Sequence, residues 1–464
     1  MIRVELRGAQ EALLSGYVAS FDRLFGDRRT RTAFQEVVKG IISAGSLVCQ
    51  RIAQGSAVLC TSKEGGQRVS RLARGESTKR SQVDAETLTE VLRERGVAHL
   101  AEGQSEELWL IADGSELRKP YAREMPCLMQ VRDLDGGLVT GYRTLNVVGI
   151  TPSRRGILYH RLFSEHEEGF VSESLETQRA LQEVSAALEG LKPRMRVTWI
   201  LDSGFDDVAV WRSVWEQGEH LVCRVKHLKR LVAWQNREGQ WVEGDLRSAV
   251  ATLQKMAKAQ TEMVVRRGRQ PRAKRQAVPV EIRAGAIRLT YETNVRREGA
   301  GEEVQRTLWL VEIRLLGTSL EPWWLLTDWP VTDAESAVHI FCMYRQRWAV
   351  EDSFHFLKDI LGWEEVHLLD LQGVRTLLAL GWVAAGFLYE LGVSLEWEEV
   401  QLLARLGGWI ARPTTRPGKI ILTRGLRRLL DMLVTQALLE EYRAEHGDLP
   451  PRLAAFLSSP AHHL

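Results

Sequence analysis

The stretch YRQRWAVEDSFHFLK, residues 344–358, repeats its polar and apolar positions at the helical period. At about 100° per residue, Tyr344, Arg347, Glu351 and Lys358 fall within about 60° of one another on one face. The other side carries Met343, Ala349, Val350, Phe356, Leu357 and Ile360, an apolar face able to pack on a sheet. The spacing predicts one continuous helix whose outward stripe holds an acid flanked by a phenol and two cations. A solvated amphipathic helix is the bland alternative. The stripe would extend about 21 Å, enough to follow a nucleic-acid strand across a site centred on Glu351.

Outward from that helix, two apolar runs each end on an aspartate: LWLIAD at Asp113 and VTWILD at Asp202. Loops that follow strand ends are where α/β sheets place chemistry, although Asp also favours turns for its own hydrogen bonding. Between the two runs, strand-like segments flank Asp135-Gly136-Gly137, a hairpin signal, and a helical pattern covers about 172–191. After a helix near 206–216, with Asp206 as its N-cap, and a strand at 221–225, about a hundred residues read as a β-rich insertion. Residues before about 105 and after about 334 read as helical.

Composition excludes some classes and leaves others open. The 464 residues are 44% hydrophobic and 26% charged, so the chain can bury a sizeable core, and a lone small binding module is ruled out. With 62 Lys and Arg against 60 Asp and Glu, no global field announces a nucleic-acid partner. Local clusters do: Arg28, Arg29 and Arg31 near the N-terminus, and Arg266, Arg267, Arg269, Arg272, Lys274 and Arg275 inside the insertion, with no acid among them. Six like charges in one loop repel unless phosphates neutralise them, which favours DNA-backbone binding over a solvated loop. Five scattered cysteines without C-x-x-C spacing argue against a disulfide framework and a zinc site, and fit a reducing cytoplasm. The N-terminus lacks the apolar core of a signal peptide. The most apolar run, 377–389, is shorter than the roughly 20 residues of a membrane span and reads as a buried helix.

Tyr344-x2-Arg347-x3-Glu351-x6-Lys358 resembles the Y-R-E-K signature of the DDE transposases of bacterial insertion sequences, of the IS-four type with a ribonuclease-H-like catalytic core. Asp113 and Asp202 at strand ends, and a long β-rich insertion between the second Asp and Glu351, agree with that group. The stretch 26–31 is similar to the basic start of the end-binding region in some members. The resemblance implies an α/β fold: a helical end-binding domain at 1–105, a ribonuclease-H-like core at 106–226 and 329–395, a β-rich insertion at 227–328, and a helical C-terminal region at 396–464.

It implies, further, that Asp113, Asp202 and Glu351 hold two Mg²⁺ ions, with Mn²⁺ able to substitute, and that Tyr344, Arg347 and Lys358 contact the transposon end near the cleaved phosphate. The expected reaction is cut-and-paste transposition: cleavage at transposon ends, in some members through hairpins, and strand transfer into target DNA. Expected partners are terminal-inverted-repeat DNA, target DNA and a second copy of the chain on paired ends, in a prokaryotic cytoplasm and away from membranes. Rival readings are a nuclease with the same core that cuts without joining, a domesticated DNA-binding protein without catalysis and, least favoured, a hydrolase acting on something other than DNA.

Smaller expectations attach to single residues. Trp323 is either a core aromatic or, by position, the stacking platform for a flipped base. Trp348 reads as packing, Glu116 as a surface ion pair and His355 as a bystander beside the stripe.

Overall fold

Alternating burial makes the run before Asp113 a strand, β1 (Glu107–Arg118), with Leu108, Leu110 and Ala112 in one core cluster and Ile111 in another. The computed structural model describes residues 14–76, 81–236, 238–265, 274–292, 303–410 and 416–458. After β1 come β2 (Met129–Arg132), β3 (Leu138–Ile150), β4 (Arg155–Phe163), β5 (Arg196–Leu201) and β6 (His220–Arg224). The expected hairpin joins β2 to β3. There Asp133 accepts hydrogen bonds from the amides of Asp135 and Gly137, and Gly136 supplies the positive φ of 84°.

β3 runs antiparallel to β1, and β4 to β3, while β5 runs parallel to β1 and β6 to β5. The spatial order is therefore β4-β3-β1-β5-β6, with β2 on the far end of β3. Two helices, Glu173–Ala187 and Val208–Glu216, form the crossovers and pack with the Leu108–Leu110 face. The Val208 helix corrects one expectation. Its N-cap is Asp207, which accepts from the Ala209 amide. Asp206 is buried instead and ties down the loop after β6, accepting from the amides of Lys226 and His227 and pairing with Arg230. A carboxylate one residue earlier than the cap finds those donors because the backbone turns through Ser203–Phe205 before the helix starts.

The β-rich stretch supplies β7 (Leu231–Gln235), β8 (Trp241–Asp245), β9 (Gln254–Val265), β10 (Lys274–Glu292), β11 (Glu303–Leu315) and β12 (Trp323–Thr327). It continues the core sheet, because β12 returns antiparallel beside β6 with Leu326 opposite Cys223. Of the basic run, Arg266, Arg267, Arg269 and Arg272 lie outside the described residues. Lys274 and Arg275 open β10, paired with Val265 and Val264 of β9.

On the Ile111 face, the sheet shares one core with helices from both ends of the chain, among them Arg28–Ala44, Ala85–Ala101, Leu371–Ser394 and the start of Lys419–His446. Leu371–Ser394 is longer than its apolar run suggested: Asp370 caps it, accepting from the Gly373 amide, and it continues for 24 residues. By length and composition it could cross a membrane, yet 83% of its apolar window is buried inside the protein. All five cysteines are free.

Candidate active site

Parallel register brings the two aspartates together. Ala112 lies opposite Leu201, so Asp113 and Asp202, the next residues, stand at the same level where strands are about 4.8 Å apart; Asp202 follows the end of β5, but Asp113, expected at a strand end, sits inside β1, paired with Asn146 because β3 keeps β1 extended to Arg118. The pleat points both the same way. Asp113 follows Ile111 and Asp202 follows Ile200 at a spacing of two, and both isoleucines face the core shared with the 344–358 segment. Glu116 sits at odd spacing from Asp113 and is turned to the opposite face, across the ladder from Arg143, so the site does not include it. No ion pair forms at Glu116 among the described residues, against the surface pair expected for it.

The 344–358 segment is not one continuous helix. Ala334–Arg345 ends at Gln346, a new helix spans Trp348–His355, and a π turn follows over Phe356–Ile360. At the junction Gln346, Arg347, Ala349 and Val350 donate to carbonyls three residues back, so the chain tightens before the acid and widens after it. Uniform 100° steps could not register either irregularity. The apolar side holds as expected, with Met343, Ala349, Val350, Phe356 and Leu357 buried.

The polar stripe is sheltered in part: the Arg347 side chain is 14% exposed and that of Glu351 41%. Tyr344 is buried and meets Trp323 edge-on, ring centroids 5.6 Å apart. Arg347 Nη2 donates to Glu351 Oε1 at 2.5 Å. Lys358 Nζ stands 3.2 Å from Glu364, whose carboxylate also takes Arg118 Nη2 at 2.5 Å. Both cations of the stripe are thus held by acids. Trp348 departs from its expected packing role: it is 55% exposed, with the Arg347 guanidinium 5.3 Å from its ring. Trp323, Tyr344, Arg347 and Trp348 line a cavity of about 880 Å³ together with Arg224 and Arg345, two cations that sequence reasoning missed. Trp324 points the other way, its indole N–H reaching Glu312 at 3.4 Å. His355 faces solvent and Asp359.

Electrostatics ties the three acids into one site. Burial, then the negative charge of Asp202, and then that of Glu351 push the Asp113 carboxyl up to about 7, against the opposing pull of Arg347. Burial pushes the Tyr344 phenol up to about 12, so its hydroxyl keeps its proton at neutral pH. Asp202 has a structural duty as well, accepting from the Gly204 amide in the turn it opens. Among the described residues no three carboxylate, imidazole or thiol groups stand together as a ready ligand shell, and Glu351 is engaged by Arg347 instead. The donor set fits a hard divalent cation nonetheless: oxygen ligands only, with a repulsion at Asp113 that positive charge would relieve.

Arg28 and Arg29 belong to a different element, exposed in the first turn of Arg28–Ala44, where the N-cap Asp27 accepts from the Thr30 amide. No acid lies in that turn. Cations at the positive end of a helix are unfavourable by themselves and suit a phosphate partner. Arg31 is paired with Asp22 at 2.8 Å.

With this geometry in hand, comparison with known proteins is specific about one region. Residues 176–385 match the family described as the transposase DDE domain, a class that uses divalent metal ions. The matched stretch contains Asp202, Tyr344, Arg347, Glu351 and Lys358, and begins after Asp113. Among solved structures, the chain is similar to the cryo-EM structure of a piggyBac transposase synaptic complex with hairpin DNA, at 10% identity and a TM-score of 0.37. That alignment covers 76% of this chain, which spans 57% of the other. No curated protein matches.

Proposed function

We propose that the protein is a cut-and-paste transposase of the IS-four type, cleaving DNA at transposon ends and joining those ends to target DNA. The observation that carries this is the parallel register that sets Asp113 and Asp202 side by side, with burial, then Asp202 and Glu351, pushing Asp113 up to about 7 against the pull of Arg347. The strand order β4-β3-β1-β5-β6, antiparallel on one side of β1 and parallel on the other, supports a ribonuclease-H-like core. The full Y-R-E-K spacing supports the finer assignment.

Asp113, Asp202 and Glu351 would hold two Mg²⁺ ions. Divalent ions held there would supply activation of the attacking oxygen and stabilisation of the leaving one, so no protein nucleophile would be needed. The chain's own residues bind and orient the DNA. Arg347 offers a planar fork to a phosphate once that phosphate draws it from Glu351; Arg118 offers another from Glu364, and Lys358, also held at Glu364, acts as a point charge. The protonated Tyr344 hydroxyl donates to a phosphate oxygen. The aromatic walls at Trp323 and Trp348 stack a base extruded next to the cleaved bond, as hairpin formation at the end requires. Arg28, Arg29, Arg31 and the 266–275 run bind backbone phosphates of the terminal repeat. One site acting in turn on water and on a DNA 3′-OH serves both cleavage and joining. Two ends must be processed together, so the working form is a DNA-bound homodimer in the cytoplasm.

The test combines purified protein with Mg²⁺, a labelled duplex bearing the terminal inverted repeats that flank its gene, and a supercoiled plasmid. Wild type should integrate the label, and Glu351→Gln should bind the duplex but neither cut nor join. Cutting without joining would identify a nuclease, and binding without cutting by either protein a non-catalytic DNA-binding protein.

A further inference from the structure

The helix that carries Glu351 is only eight residues long, follows a tightened turn and runs into a π turn, so its own hydrogen bonds fix its place weakly. The residue after the acid does more. Asp352 Oδ2 accepts from Arg155 Nη1 at 2.9 Å and pairs with Lys419 Nζ. Arg155, the first residue of β4, also donates to the Ala349 carbonyl at 3.3 Å and lies over the Tyr389 ring, 5.5 Å from its centroid. Lys419, the first residue of the Lys419–His446 helix, also reaches the Asp352 carbonyl at 3.3 Å. Farther along that helix, Arg427 donates to the carbonyls of Ile360 and, at 2.7 Å, Ile42. One edge strand and one helix from outside the 176–385 match thus grip the segment bearing Glu351 and Lys358 at both ends.

We propose that Asp352 is a positioning residue: held between Arg155 and Lys419, it fixes Glu351 at the level of Asp113 and Asp202 and so sets the affinity of the three-acid site for a divalent cation. This rests on reading those acids as metal ligands. Successive helix positions diverge by about 100°, so Asp352 does not join the acids. Its carboxylate is spent on the two cations, and it acts only through where it puts its neighbour. Half-exposed ion pairs contribute little to global stability. The expected consequence of losing this one is local: outer partners that orient a ligand are worth about 10- to 100-fold in metal affinity.

The experiment follows Mn²⁺ binding to the full chain by calorimetry, alongside the Mg²⁺ dependence of end cleavage, in wild type, Asp352→Asn, Lys419→Gln and Lys419→Arg. In Asp352→Asn and Lys419→Gln the Mn²⁺ dissociation constant and the half-saturating Mg²⁺ should rise about tenfold or more. Cleavage at saturating Mg²⁺ should stay within about threefold of wild type, and Lys419→Arg should restore wild-type affinity. Unchanged Mn²⁺ affinity in a folded Asp352→Asn protein overturns the proposal, as does absence of Mn²⁺ binding by wild type. If Asp352→Asn does not fold, the Lys419 pair decides by the same criterion. If wild type binds Mn²⁺ but never cuts a transposon end, the transposase reading fails while the calorimetry still decides the role of Asp352.

Discussion

Asp113→Asn is expected to make the protein more stable and catalytically dead. Folded Asp113 keeps its proton up to about pH 7, whereas an unfolded Asp releases it near 3.8. Between those values the folded state binds the extra proton, so stability falls as pH rises from about 4 to 7 and stays low above that. At about 1.4 kcal/mol per pH unit, the charge on Asp113 costs up to about 4 kcal/mol at neutral pH. Asn carries no charge and escapes that cost. In metal-free buffer at pH 7.5, urea unfolding should show the variant more stable by an amount approaching that limit, and at pH 3.5 the difference should vanish. End cleavage in Mg²⁺ should fall by roughly 10³-fold or more, the scale of losing a carboxylate that anchors a cation at the reacting phosphate. A variant equal to or less stable than wild type at pH 7.5 would mean that Asp113 is not buried against Asp202 and Glu351.

That combination, a destabilising residue where chemistry is expected, bears on how much the sequence could reveal. β1 and β5 were legible because Leu108 to Ala112 and Val197 to Leu201 are apolar runs stopped by an acid; their parallel pairing is set by the β3 and β4 strands and the single helix that intervene, and only the structure shows it. The hairpin at Asp135-Gly136-Gly137 was legible because its glycine supplies a positive φ. The proposal of the three acids as metal ligands came from the resemblance carried by the stripe. Its conformation did not, because the break at Gln346 and the π turn at Phe356 depend on how the segment packs against the sheet and the C-terminal helix. Arg224 and Arg345 reach the cleft only through the pairing of β12 with β6 and the packing of the Ala334 helix, both long-range events. Glu364 and Asp352 carry no motif of their own in the sequence. Their partners Arg118, Arg155 and Lys419 come from strands and helices far away in sequence.

The Arg347–Glu351 pair has two fates that exclude each other. While Arg347 donates to Glu351, that carboxylate oxygen is unavailable to a cation and the guanidinium fork is unavailable to a phosphate. DNA and metal should therefore assist each other: a phosphate that draws off Arg347 frees Glu351, and a cation on Glu351 frees Arg347. Such coupling would keep a DNA-free protein from assembling an indiscriminate nuclease centre. Replacing Arg347 by Ala separates the two effects and moves them in opposite directions. Mn²⁺ affinity of the DNA-free protein should rise by roughly tenfold, the equivalent of about 1.4 kcal/mol, because a competing cation is gone and Asp113 loses the opposing pull of Arg347. Affinity for the terminal-repeat duplex should fall by about tenfold or more through loss of a charge-assisted phosphate contact. Calorimetry with Mn²⁺ alone and fluorescence anisotropy with labelled duplex in metal-free buffer read the two separately. The Mn²⁺ enhancement that wild type shows on adding DNA should shrink in Arg347→Ala, since the variant is already released. If metal and DNA affinities fall together, Arg347 supports the architecture of the site and holds no latch on its acid.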